Sequence, residues 1–262
     1  MSSTCLAELT LGFMLSVTPV IAQTNSFRFQ SPPGKTALIE LYTSEGCSSC
    51  PPAEAWLSAL QDSPRLWKDF VPIAFHVDYW NSLGWKDPWS DPTFSERQRA
   101  YAQSWRSESV YTPEFVLNGK EWRNWLAGKN GPKSNGDRAG ILTVSSSGTN
   151  RWQVSFAPEK IANTPYEIHA AMLGGGIISD VKAGENRGRR LNHDFVGMNH
   201  LQIGMTTSNG VANGKFILDT SRINPAKTIA LVVWVTSAGQ LESLQATGGW
   251  IIAPEKTGNS RR

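Results

Sequence analysis

Apolar positions along the chain follow two different periods. In the first stretch, Thr36 to Thr43 carries Ala37, Leu38, Ile39, Leu41 and Tyr42, interrupted only by Glu40, and Val71 to Trp80 is a second run of the same kind. Continuous apolar runs of this length predict buried strands. Between them Ala53, Trp56, Leu57 and Leu60 recur at spacings of three and four, which predicts a helix over 51–60. Its opening Pro51-Pro52 is tolerable because first-turn backbone donors lack partners anyway. After a loop rich in Trp, Pro and Gly, Thr93 and Glu96 have capping-box spacing, and Phe94, Tyr101 and Trp105 fall on one face of a second helix. Glu114 to Leu117 reads as a strand, with Asn118-Gly119 turning it into a hairpin. Strand, helix, strand, helix, hairpin is an α/β order.

Residues 129–137 carry turn formers and no large apolar side chain, so they read as a linker. Beyond it the period changes to short β-branched runs separated by Gly, Asn and Ser. They lie at 141–145, 152–156, 168–173, 177–181, 201–207, 215–218 and 229–235. This spacing predicts a β-rich, sandwich-like region over 138–253, with a flexible tail at 254–262.

The 262 residues and 40% hydrophobic content suffice for a sizeable core. A net charge of +3 spread along the chain gives no basic stripe for nucleic acid. Leu9 to Ala22 is a mostly apolar run ending in Val20-Ile21-Ala22, the form of a signal peptide over 1–22 cut before Gln23, although no Lys or Arg precedes it. A periplasmic or secreted protein with no stable membrane span after processing is expected.

Removal of that segment also removes Cys5, leaving Cys47 and Cys50 as the remaining thiols. Two thiols three positions apart at a strand-to-helix junction can interconvert between dithiol and disulfide. The attacking species is a thiolate, and a helix N-terminus favours it electrostatically. Cys47, at the mouth of the helix, is the better nucleophile; Cys50, one turn in, is the resolving thiol.

Together with Thr112-Pro113 ahead of a short strand, this order of elements resembles the thioredoxin superfamily. The strings Leu41-Tyr42-Thr43-Ser44-Glu45-Gly46-Cys47-Ser48-Ser49-Cys50-Pro51-Pro52, His76-Val77-Asp78-Tyr79-Trp80 and Tyr111-Thr112-Pro113 are similar to a bacterial secreted family catalogued as a domain of unknown function. Gly184 to Arg189 fits the same pattern. The resemblance implies an α/β thioredoxin-like domain over 35–128, with an aromatic insertion at 80–108, followed by the β-rich domain. It implies that Pro113 is cis and packs beside the cysteines, with the backbone at Thr112 pairing with an extended substrate. The activity implied is that of a thiol-disulfide oxidoreductase acting on protein thiols or disulfides with an unidentified redox partner. No cofactor is required beyond the Cys47–Cys50 pair.

Thioredoxins also carry a buried acid near the first cysteine that takes protons from the resolving thiol. Glu40, seven residues before Cys47 and one further than in that family, is a candidate for the same work. Strand alternation could instead place it on the opposite face, paired with a Lys or Arg. Trp85 and Trp89 in the insertion either grip extended substrates or plug the sheet edge. His76, with Cys47 and Cys50, could hold Cu(I), making a copper-binding or copper-delivery protein the alternative. Zinc is disfavoured, because His169, His193 and His200 show no paired spacing. Arg187, Arg189, Arg190 and His193 form a basic cluster in an expected hairpin loop, suited to an anion or to plain solvation.

Overall fold

The computed structural model describes residues 26–128, 130–134, 136–146, 148, 150–161 and 164–255. The segment expected to direct export and the tail from residue 256 lie outside the described residues.

In chain order the first half forms β1 (Arg28–Gln30), β2 (Ala37–Thr43), α1 (Pro51–Ser58), β3 (Phe70–His76), α2 (Pro92–Ser104), β4 (Glu114–Leu117) and β5 (Lys120–Glu121). The strands β6 (Gly140–Ser146), β7 (Arg151–Pro158), β8 (Tyr166–Gly175), β9 (Ile177–Asp180), β10 (Arg190–His193) and β11 (Val196–Gly197) follow. The last are β12 (Leu201–Gly204), β13 (Thr206–Ser208), β14 (Val211–Ile217), β15 (Thr228–Ser237) and β16 (Gln245–Ile252). Helix α2 starts one residue before the expected Thr93. Asp91 is its N-cap and accepts from the Thr93 amide, while Pro92 takes the first turn, a cap of about 1 kcal/mol.

The expectation of an α/β thioredoxin-like domain followed by a separate β-sandwich is corrected. Strands hold 42% of the described residues and helices 14%, with two α-helices among them. A single nine-stranded sheet, ordered β16-β15-β8-β11-β3-β2-β4-β5 with β12 also on β8, takes strands from both sides of residues 129–137. The physical reason lies in β8 and β15, which are buried on both faces and therefore need neighbours and cover on every side. Val196 of β11 pairs in parallel with Ala74 of β3 and antiparallel with Gly174 of β8, which joins the halves edge to edge.

Side-chain alternation assigns the two faces of this sheet to two cores. Ala230, Val232 and Trp234 of β15 face the core shared with β2, β3, α1 and α2. Leu231, Val233 and Val235 face the opposite way, against the five-stranded sheet β1-β6-β7-β14-β13, whose Leu142, Val144, Trp152 and Val154 close the second core. The strands β9 and β10 pair as a hairpin of their own.

Candidate functional site

Strand β2 delivers the chain into a tight loop in which the Cys47 amide donates to Ser44 O at 3.1 Å and the Cys50 amide to Cys47 O at 3.3 Å. These turns bring the two cysteines to a Cα separation of 5.5 Å, and their sulfurs form a disulfide. Gly46 lets Trp80 pack closely, since a Cβ there would stand 3.2 Å from Trp80 Cβ. Cys50 is the N-cap of α1, and the prolines at the next two positions remove two backbone donors from the helix mouth. The Ser49 hydroxyl, 3.4 Å from Cys47 Sγ, stands nearest as a replacement donor.

The Thr112-Pro113 peptide bond is cis. Trp80 Nε1 donates to Thr112 Oγ1 at 2.8 Å, and the Ser49 hydroxyl lies 3.5 Å from Thr112 O, so the insertion, the cysteine loop and the proline loop meet at one point. Both cysteines are nonetheless fully buried. Part of their cover is the loop between β9 and β10. Asn186 Nδ2 donates to Glu45 O at 2.8 Å and Cys47 O at 2.9 Å, and Glu185 accepts from the Ser48 amide at 2.9 Å. Arg189 Nη1 donates to Asn186 Oδ1 at 2.7 Å and holds the amide in place. The cluster at Arg187, Arg189 and Arg190 thus includes one residue that orients the lid over the disulfide.

Behind the cysteine loop lies a buried polar cluster that sequence reasoning missed. His193, at the end of β10, places Nδ1 2.5 Å from Glu54 Oε2 and Nε2 3.2 Å from Glu45 Oε1. Its burial opposes protonation, but the charges of Glu54 and Glu45 prevail and raise it to about 10. Glu54 also accepts from Thr43 Oγ1 at 2.5 Å. Burial pushes its carboxyl up, yet the His193 charge outweighs this and lowers it overall. His76, ending β3, has Nδ1 2.7 Å from Asp87 Oδ2, and Asp87 also accepts from the Glu45 amide. Two sequence signals existed. Glu54 stands four residues after Cys50, on the same helical face, and Leu191 and His193 alternate inward on the short strand β10.

Glu40 lies elsewhere. It shares a face of β2 with Tyr42 against α2, while Thr43 faces α1. Arg97 Nε donates to its Oε2 at 2.7 Å and Nη2 to its Oε1 at 3.1 Å, with Tyr101 and Tyr42 hydroxyls completing the set. These four donors engage both of its oxygens on the α2 side, so of the two readings the pairing with an Arg on the face away from the cysteines is the one found, and the proton-acceptor expectation is corrected. Trp89 is buried in the second core and offers no face to a substrate, which corrects its assignment as a grip. Trp85 is half-buried and donates from Nε1 to Glu45 Oε2 at 2.6 Å, so it buttresses the cysteine loop. His76 is engaged by Asp87 and faces Glu54 and His193. Among the described residues, the group of side chains able to share one ion is Glu54, His76 and His193, without either cysteine.

Glu114, next to Pro113, is buried and accepts from Gln98 Nε2 at 2.6 Å. Burial raises its carboxyl to about 7, opposed by the Gln98 bond and reinforced by the charge of Glu121. Between pH 4.5 and 7 the folded chain keeps a proton that the unfolded chain has released. The Glu114 contribution to stability therefore falls as pH rises through that window, by about 2 kcal/mol. Between pH 5 and 7.5 the urea midpoint of Glu114→Gln should gain on that of the wild type by about this amount, whatever trend other titrating groups impose on both proteins. Parallel profiles would assign the titration to another group.

The profile of a family described as protein of unknown function, DUF1223, matches residues 38–236. The fold is similar to that of protein AGR_C_4864 from Agrobacterium tumefaciens, at 22% identity over 85% of this chain and 96% of that one, with a TM-score of 0.60. It is also similar to HBP35 of Porphyromonas gingivalis, at 14% identity over 88% of this chain and 81% of that one, with a TM-score of 0.54. No curated protein matches the chain.

Proposed function

The chain belongs to the DUF1223 family, and from that premise we propose that it is an exported thiol-disulfide oxidoreductase working through Cys47 and Cys50. The observation that carries this reading is the disulfide itself, formed by cysteines three residues apart where β2 runs into α1. A link this short closes almost no loop and gives little conformational restraint. Its position between Ser49, Thr112 and the Asn186 lid suits a bond that opens and closes.

In the reducing direction the Cys47 thiolate attacks one sulfur of a substrate disulfide, and the other substrate sulfur leaves as a thiolate and takes a proton. A mixed disulfide to Cys47 results. The Cys50 thiolate then attacks Cys47 Sγ, expels the second substrate thiolate and closes the Cys47–Cys50 bond. Two electrons pass to the substrate, and a partner dithiol restores the reduced pair. Run backwards, the same steps oxidise a substrate dithiol. Ser49 supports Cys47 as a hydroxyl donor to the thiolate, and the Asn186 loop must lift before either sulfur meets a substrate. An oxidising compartment outside the cytoplasm, where such bonds persist, is the setting proposed.

Turnover of a disulfide substrate with dithiothreitol as electron donor should be lost in Cys47→Ser. Cys50→Ser should accumulate the mixed disulfide, visible by mass spectrometry. A native Cys47–Cys50 bond that resists excess dithiothreitol, with no turnover of any disulfide tried, would reduce the pair to a cross-link.

A further inference from the structure

We propose that Glu54, His76 and His193 form a binding site for a divalent transition-metal ion of the zinc class, directly beneath the cysteine loop. Their ligand atoms lie within 4.8 Å of one another, and all three residues are buried. Two ligands of one tetrahedral zinc ion stand about 3.4 Å apart. Side-chain shifts of under an ångström, with the ion taking the place of the direct Glu54–His193 contact, therefore close the site.

Its surroundings argue for an ion more strongly than the trio alone. Each imidazole has one nitrogen backed by a buried carboxylate: His76 Nδ1 by Asp87 at 2.7 Å and His193 Nε2 by Glu45 at 3.2 Å. The other nitrogen of each ring belongs to the shared space with Glu54. Metal-bound histidines are oriented in this way, the outer carboxylate fixing the ring and raising its basicity. His76 Nε2, the ring atom on the side of the shared space, is buried without a hydrogen-bond partner. Buried polar atoms left in that state are costly unless something binds them.

Charge points the same way. Glu45, Glu54 and Asp87 are three buried carboxylates, and among the described residues no lysine or arginine is paired with any of them. In the ion-free cluster protonated imidazole answers these carboxylates, and a divalent ion displaces those protons and takes over that charge. Two imidazoles and a carboxylate suit zinc, or the related divalent ions of the first transition row, better than Cu(I), which prefers sulfur. A cavity of about 340 Å³ lined by Pro51, Glu54, Arg189, Arg190 and Asp194 gives a way in along α1. Mechanically the ion would join the first turn of α1, the end of β3 and the end of β10. It would thereby pin the hairpin that carries the Asn186 lid to the helix that carries Cys50.

This inference does not depend on thiol exchange, and its test keeps the two apart. Full-length protein in its disulfide form, equilibrated with Zn²⁺ and desalted, should retain about one ion per chain by elemental analysis. Co²⁺ in its place should give visible d–d absorption without a thiolate charge-transfer band. His76→Asn and His193→Gln should each lose the ion, Asp87→Asn should bind it about 10–100-fold more weakly, and a Cys47→Ser/Cys50→Ser double variant should keep it. Near-UV circular dichroism checks that each variant is folded. Wild-type protein that retains no Zn²⁺ and shows no Co²⁺ spectrum overturns the proposal, as does binding that survives both histidine changes or disappears with the cysteines.

Discussion

Replacing Glu40 by alanine is expected to cost on the order of 3–5 kcal/mol, the largest single-residue effect in the first core. Glu40 is fully buried and accepts from Arg97 twice and from Tyr101 and Tyr42 once each. Burial works against the Arg97 charge, but Glu40 and the two tyrosines raise Arg97 well above its ordinary value. Without the carboxylate the guanidinium stays charged with no counterion, stacked over the Tyr101 and Trp234 rings. The Tyr42 hydroxyl loses its acceptor at the same time, and the Tyr101 hydroxyl is left with Leu241 O at 3.3 Å. Removing both charges in Glu40→Ala/Arg97→Met should recover much of the loss, because the penalty belongs to the uncompensated ion rather than to the pair. Denaturant unfolding of the two variants beside wild type decides this, and a cost below about 1 kcal/mol for the single change would contradict the account.

Acidification should unfold the protein through a second buried group. His169, His200 and Trp234 stack as three nearly parallel rings beside Arg97, with His169 Nδ1 3.2 Å from His200 Nε2 and His169 Nε2 3.1 Å from Thr236 Oγ1. Burial first, then the Arg97 and His200 charges, lower His169 to about 2; burial and Arg97 lower His200 to about 3. Both rings stay neutral in the fold, and the 3.2 Å contact needs one donor facing one acceptor. The unfolded chain takes up both protons below pH 6.5 and the folded chain does not. Stability is therefore intact above pH 6.5 and falls as the medium becomes more acidic, by about 2 kcal/mol per histidine at pH 5. The urea midpoint should drop steeply between pH 7 and 5. His169→Phe or His200→Phe, compared with its own value at pH 7, should lose less over that interval. An unchanged slope in both would place the acid sensitivity elsewhere.

The parts of the fold that were legible in the sequence are those whose signal is local. Ala37–Thr43, Pro51–Ser58 and the Asn118-Gly119 hairpin carry their own periodicity or turn chemistry. Strand β11 has two residues and no period at all, yet it joins the halves of the sheet. Strand β16 is absent from the expected runs, and it carries Gly248 and Gly249 in its middle. They are glycines because Trp67 and Phe29 pack where side chains would be, a Cβ on Gly249 falling 2.3 Å from Phe29. The site divides in the same way. Cys47, Cys50 and Pro113 announce themselves within a few residues, whereas Glu54, His76 and His193 converge only after α1, β3 and β10 have been packed together. Glu40 lies between these cases, since strand alternation already allowed the opposite face, but which cation pairs with it is set only when α2 packs there.

The long reach of Asn186 sets an order of events during synthesis. Its side chain closes over Glu45 and Cys47, but it emerges 136 residues after Cys50, and Val196, which covers the edge of β3, emerges later still. A growing chain therefore presents the Cys47 and Cys50 thiols without their lid, beside a strand whose edge is unpaired. The pair is at its most reactive before the protein is finished, and completing the second half both seals the sheet and shelters the bond.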